Sequence, residues 1–248
     1  MVLGLCYNTP ILNRTGSRPM KLLGIDTNVK TVKGQSKGYM TAILYLAPAN
    51  ISGYEVCPMA TAGCRAACLY SAGRGAFSTV QKSRIAKTKW FFEDRTAFMA
   101  QLVKEIAAFI KYATKRGFIP TVRLNGTSDI VWERVAVPGF ANVMDMFPAV
   151  QFYDYTKRHN RKDLPANYHL TYSLAEDNDS NARKALDNGI NVAAVFRVPA
   201  FPATYMDRPV VNGDETDLRF LDERGVVVGL KAKGKARKDT TGFVKEVA

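Results

Sequence analysis

Short apolar runs at 39–46, 120–125, 150–155, 168–174, 191–198 and 226–230 alternate along this chain with helix-like segments and long loops, and the alternation leaves few folds open. Pro48 closes the first run, because proline removes a ladder donor. Helices are predicted over 76–92 and, behind an Asp94 cap, along a stripe of Phe98, Leu102, Ile106, Phe109 and Ile110 that ends at Gly117. Others are predicted over 142–147, from the caps Asp179 and Ser180 to Leu186, and near 215–223. Five or six strands joined by such crossovers make a parallel sheet. The expected fold is α/β, a partial or complete β/α (TIM-like) barrel, with an open doubly wound sheet as its rival.

Charge divides the chain further. There are 35 Lys and Arg against 22 Asp and Glu, a net +13, and most of the excess lies at the ends: six basic and one acidic residue in 1–38, six and two in 231–248. We read 1–38 as a basic N-terminal arm, 39–230 as an α/β iron-sulfur domain and 231–248 as a basic C-terminal tail. Basic ends on a near-neutral body suit nucleic acid or an anionic surface, and equally suit plain solubilising charge. The longest uncharged stretch, 38–54, is interrupted by Pro48 and Asn50 and is shorter than the roughly 20 apolar residues of a membrane span. No membrane partner is expected. The opening Met-Val-Leu-Gly-Leu-Cys6 lacks the basic leader of an export signal, so a cytoplasm that keeps thiols reduced is the expected setting.

Four cysteines in such a compartment are not a disulfide framework. Three fall within twelve positions, Cys57, Cys64 and Cys68, spaced C-x6-C-x3-C directly after the first strand. If Gly63 turns the chain into a helix, Cys64 and Cys68 share a face at i and i+4, and the loop brings Cys57 back toward them. Glycines 63, 73 and 75 would let the backbone approach an inorganic core without Cβ clashes. A structural zinc asks for four protein ligands, so Cys6, His159 or His169 would have to join. Three thiolates suit a 4Fe-4S cluster with one open iron, leaving zinc as the alternative and Cys6 as a separate buried or reactive thiol.

A cysteine loop after the first strand of a β/α fold resembles the radical S-adenosylmethionine enzymes, which hold a 4Fe-4S cluster there. Their spacing is C-x3-C-x2-C, and their glycine-rich second-strand motif is absent here; the resemblance implies the cluster first and S-adenosylmethionine second. A wider resemblance covers most of the chain. Lys30-Thr-Val-Lys-Gly34, Ile43-Leu-Tyr-Leu-Ala-Pro-Ala49, the Cys57 to Cys68 loop followed by Ser71-Ala-Gly-Arg-Gly75, and Arg123-Leu-Asn-Gly-Thr-Ser-Asp129 together resemble the gene 88 protein family of tailed phages. This implies a viral protein made in the host bacterial cytoplasm.

In α/β folds ligands gather at the carboxyl ends of strands. Asn125, Thr127, Ser128 and Asp129 end one strand, Asp154 and Lys157 a second, Glu176 a third and Arg197 a fourth, while Arg74 lies in the glycine loop. These are the expected neighbours of the cluster or of a polar ligand. Each has a structural alternative: Asp129 or Asp179 as a helix cap, Asn125-Gly126 as a turn, Arg197 with Asp154 as an ion pair. Lys82, Arg84, Lys87 and Lys89 precede Trp90, Phe91 and Phe92, which either stack on single-stranded nucleic acid or form the buried side of an amphipathic helix. No phosphate loop, dinucleotide fingerprint, H-x-H pair or nucleophile elbow is found. Three functions are therefore open. The first is a redox or radical enzyme acting on nucleic acid or a nucleotide, with a small molecule at the open iron; the second is a nucleic-acid-binding replication or packaging accessory with a structural metal; the third is a virion or host-takeover component whose cluster only stabilises a loop.

Overall fold

A computed structural model describes residues 20–247. Half of the predicted N-terminal arm, including Cys6, lies outside the described residues. Ten strands form one sheet: β1 (Leu23–Ile25), β2 (Tyr39–Leu44), β3 (Ile119–Arg123), β4 (Gln151–Thr156), β5 (Tyr168–Ser173), β6 (Val192–Phe196), β7 (Thr204–Tyr205), β8 (Arg208–Asn212), β9 (Val227–Lys231) and β10 (Val244–Lys245). Their order is β1-β2-β3-β4-β5-β6-β9-β8-β7, with β10 also beside β6. Every pair from β2 through β6 to β9 is parallel, as the alternation predicts. From β1 to β6 the order advances without the reversal of a doubly wound sheet, and it turns back only at the far edge, β9-β8-β7. It is also linear: among the described residues no ladder joins β1 to β7, so a complete barrel does not form.

Six helices accompany the sheet: α1 (Val29–Lys33), α2 (Ala62–Ala66), α3 (Ser78–Glu93), α4 (Arg95–Lys115), α5 (Val143–Met146) and α6 (Asp179–Asp187). The Asp94 carboxylate caps α4 by accepting from the Ala97 N–H at 3.0 Å. Its predicted stripe is buried at Phe98, Leu102, Ile106 and Phe109. That stripe joins Met40, Ala42, Leu44, Val122, Phe152 and Leu170 of β2 to β5 in the main core. None of the helices is long and apolar enough to cross a membrane, among the described residues.

Alternation puts the other side chains of these strands on the opposite face, and that face is polar. Thr41 Oγ1 lies 2.8 Å from Thr121 Oγ1 and 3.1 Å from Tyr153 Oη. Residues 213–222 cover it. Phe220 packs its ring edge-on against Tyr39 and Tyr153, both at 5.3 Å, and Arg123 Nη1 donates to Asp217 at 2.5 Å. At the other end of the segment Lys30 reaches the Gly213 carbonyl at 3.0 Å and Asp214 at 2.8 Å, tying α1 to the β8–β9 connection. The helix predicted near 215–223 is thus only a 3₁₀ turn, Arg219–Leu221. Long-range partners for Asp217 and Phe220 outweigh local helix propensity, a weak preference of tenths of a kcal/mol per residue.

The basic ends are also more than arms. Residues 20–38 contribute β1 and α1. In the predicted tail, β10 pairs with Val195 and Phe196 of β6, whereas β5 pairs only with Val192 and Ala193, so the chain end enters where β5 and β6 separate. Phe243 and Val244 are buried there.

Candidate ligand site at the carboxyl ends of the strands

The segment after β2, residues 45–77, packs onto the carboxyl ends of β3 and β5. The Asp129 N–H donates to the Val56 carbonyl at 2.7 Å, and the Glu176 carboxylate accepts from Thr61 Oγ1 and the Gly63 N–H, both at 2.7 Å. Burial alone would raise the Glu176 pKa, but these hydrogen bonds outweigh it and hold the carboxyl below its ordinary value. A Cβ on Gly63 would stand 2.2 Å from Thr241 Oγ1 and 2.9 Å from the Glu176 carboxyl. This glycine serves a close approach of protein to protein, not of backbone to an inorganic core.

The predicted strand-end residues do meet along this edge, where most bind the fold itself. Asn125 is a buried hub: its Oδ1 accepts from Ser128 Oγ at 2.8 Å and from the Ile130 N–H and Trp132 Nε1 at 3.0 Å. Thr127 Oγ1 donates to the Leu46 carbonyl at 2.5 Å. Asp129 accepts from Thr156 Oγ1 at 2.7 Å and from the Lys157 N–H at 3.0 Å, so it ties two strand ends together and caps no helix. Asp154 accepts from the N–H groups of Leu124 and Asn125 and from Tyr168 Oη; burial pushes its pKa up to about 6 against the pull of Arg123. Its ionic neighbour is Arg123, and Arg197 pairs instead with Glu246, which corrects the proposed Arg197–Asp154 pair. Arg74 is exposed.

The cysteines do not form the expected metal site. Among the described residues no group of three or more His, Cys, Asp or Glu side chains is placed to hold a metal ion. The reason is local. Helix α2 ends at Ala66 and the chain turns extended at Cys68, so Cys64 and Cys68 are not one turn apart on a shared helical face. Cys57 directs its sulfur to the Thr127 carbonyl at 3.7 Å, and Cys64 packs against the cluster of Ala67, Ala175, Ala236, Phe243 and Val244. Burial pushes the Cys57 thiol up to about 12 and raises that of Cys68, which disfavours the thiolates that ligation requires. The 4Fe-4S cluster, the zinc alternative and S-adenosylmethionine held at an open iron are all corrected by this arrangement. The cysteine arrangement therefore lends no support to the redox or radical reading.

In the aromatic-basic stretch before α4 the aromatic side chains, Arg84 and Lys87 turn inward, while Lys82 and Lys89 are exposed. Phe91 is buried, Trp90 and Phe92 pack against the main core, and Lys87 Nζ donates to the Leu22 carbonyl at 2.9 Å. Arg84 is only 8 % exposed. Its Nε and Nη1 are sealed from solvent without a hydrogen-bond partner. The guanidinium carbon lies 4.6 Å from the centre of the Tyr45 ring and 5.7 Å from that of Tyr70. Stacking on an aromatic face returns about 0.5–2 kcal/mol, whereas an unpaired buried ion costs several. The two rings do not balance the charge.

A family model described as Gene product 88 matches residues 20–246, nearly the whole chain. The chain belongs to this phage family. No curated protein and no solved structure is similar to it. In this gene 88 protein a second feature of the strand ends is electrostatic. Beyond β6 and β9 lies a depression with a cavity volume of about 640 Å³, lined by Arg197, Lys231, Lys233 and Arg237 with Asp214 as its one carboxylate. Lys235 and Lys238 stand exposed on the adjoining 3₁₀ turn, Gly234–Lys238, which packs against the turn Leu69–Ser71 of the cysteine segment. The count of basic residues in 231–248 signalled this charge; the strand that fixes it in place was not visible in the sequence.

Proposed function

We propose that this phage protein is a nucleic-acid-binding accessory of replication or packaging, acting in the host bacterial cytoplasm on an incomplete β/α barrel. The basic depression beyond β6 and β9 carries the reading: four cations line it, Arg197 paired with Glu246 and Lys233 with Asp214, and Lys235 and Lys238 stand exposed beside them. A phosphodiester backbone is the polymer that such a surface neutralises, and counterion release makes the affinity depend on salt. The anchoring of the turn favours an ordered surface over a free tail. Arg197 Nη1 donates to the Arg237 and Asp239 carbonyls at 2.9 and 3.0 Å, and the Asp239 carboxylate accepts from the Val244 N–H at 2.9 Å.

The test is fluorescence anisotropy with a labelled single-stranded DNA oligonucleotide across a salt series. Wild type should bind with a steep linear loss of log affinity against log salt. The triple variant Lys233→Glu, Lys235→Glu, Lys238→Glu should bind at least about tenfold more weakly, with a slope shallower by about 2 for three lost phosphate contacts. A variant that binds like wild type would overturn the reading.

A further inference from the structure

Two cations act on the Cys68 thiol, and neither side chain makes an ion pair among the described residues. Arg84 is the first. Its guanidinium rests against the Tyr45 and Tyr70 rings, and its Nε and Nη1 have no hydrogen-bond partner. Lys157 is the second: its Nζ donates to the neutral Ser173 Oγ at 2.8 Å and lies 5.5 Å from the centre of the Phe243 ring. Both act electrostatically on Cys68. The acids of the neighbourhood are already engaged, Asp129 by Thr156 and the Lys157 backbone, Glu176 by Thr61 and Gly63.

We propose that Arg84, with Lys157 as a second cation, binds the oxyanion group of a small ligand, a phosphate or a carboxylate, beneath the cysteine segment at the carboxyl ends of β2 and β4. The sealed Nε and Nη1 of Arg84 are the observation that points to it, because a buried guanidinium keeps unpaired donors only at a high cost that an incoming anion relieves. The fork of donors suits two oxygens of one group. The floor is fixed: Tyr45, against which Arg84 rests, stands so close to the loop after β3 that a Cβ on Gly126 would lie 2.6 Å from the tyrosine ring. This site is independent of the nucleic-acid surface, which does not include Arg84.

The experiment is thermal unfolding of the full chain in inorganic phosphate, in acetate and in chloride at matched ionic strength. Wild type should melt about 5 °C or more higher in whichever oxyanion it binds, once that anion stands about a hundredfold over its Kd. Phosphate also stabilises proteins non-specifically, so the deciding quantity is the rise that Arg84→Met removes. That variant should lose the specific rise and melt no lower than wild type in chloride, since it deletes an unpaired buried charge. Lys157→Met should weaken the response several-fold, and calorimetric titration of wild type with each anion gives the binding without any variant. A response to phosphate and not acetate, or the reverse, assigns the ligand's group. Equal melting of wild type in all three salts, or a rise that Arg84→Met retains in full, would overturn the proposal. The Lys233→Glu, Lys235→Glu, Lys238→Glu protein should keep the anion response, and Arg84→Met should keep salt-sensitive oligonucleotide binding, so either reading can fail alone.

Discussion

Asp217→Ala should lower the melting temperature by roughly 10 °C. Arg123 is 7 % exposed, and its guanidinium stands 2.5 Å from Asp217 and 3.8 Å from Asp154. Removing the nearer carboxylate leaves a buried charge facing a carboxyl whose own pKa burial has pushed up to about 6. Breaking a buried pair by deleting one partner costs about 3–5 kcal/mol, and for a chain of this size about 1 kcal/mol shifts melting by 2–4 °C. The effect is amplified here because Asp217 belongs to the segment that covers the polar face of the sheet. The double variant Arg123→Met, Asp217→Leu should recover part of the loss, since the unpaired guanidinium is gone, while Asp154, left without its cation, is a carboxyl that burial has already pushed up to about 6. A single variant that melts within about 2 °C of wild type would show that residues 213–222 are not held by this pair.

The second large effect is expected from Asn125→Ala. Its Oδ1 serves three donors and its Nδ2 donates to the Ile130 carbonyl at 2.9 Å, so alanine strands the indole N–H of the fully buried Trp132 and the hydroxyl of buried Ser128. Each buried polar group left unsatisfied costs about 1–3 kcal/mol, and partial relaxation of the loop brings the expected total to about 3–4 kcal/mol. Urea unfolding should report it as a lower midpoint at an unchanged slope, because the surface exposed on unfolding is the same. A loss under about 1 kcal/mol would mean that Asn125 closes a turn and nothing more.

Those two residues also show what sequence reasoning reaches. Periodicity exposed the strands and the stripe of α4, because burying one face requires a regular spacing that a single sequence records. Two-residue strands such as β7 and β10 carry no period, so in the sequence β10 reads as part of a basic tail. The 215–223 segment carried helix-forming residues, but its conformation is decided by Arg123, Tyr39 and Tyr153, which lie far away in the chain. The carboxyl-end rule points to the edge where Asn125, Asp129 and Glu176 lie but not to their roles, because these three spend their hydrogen bonds on neighbouring loops, while Arg197 lines the basic depression and Arg74 is exposed. The cysteine spacing gave closeness along the chain, while convergence of the sulfurs depends on where α2 stops, one residue before its cap Ala67. Arg84 was hidden for the opposite reason: a lone arginine between lysines reads as solvated, and only the packing of Tyr45 and Tyr70 around it reveals a buried charge.

Hydrogen exchange of the full chain with and without a single-stranded oligonucleotide at low salt locates the polymer most directly. Binding at the strand ends predicts slower exchange in 231–238 and 197–200, with α4 unchanged. Protection confined to the lysines of the α4 surface, leaving 231–238 exchanging as in the free protein, would contradict it.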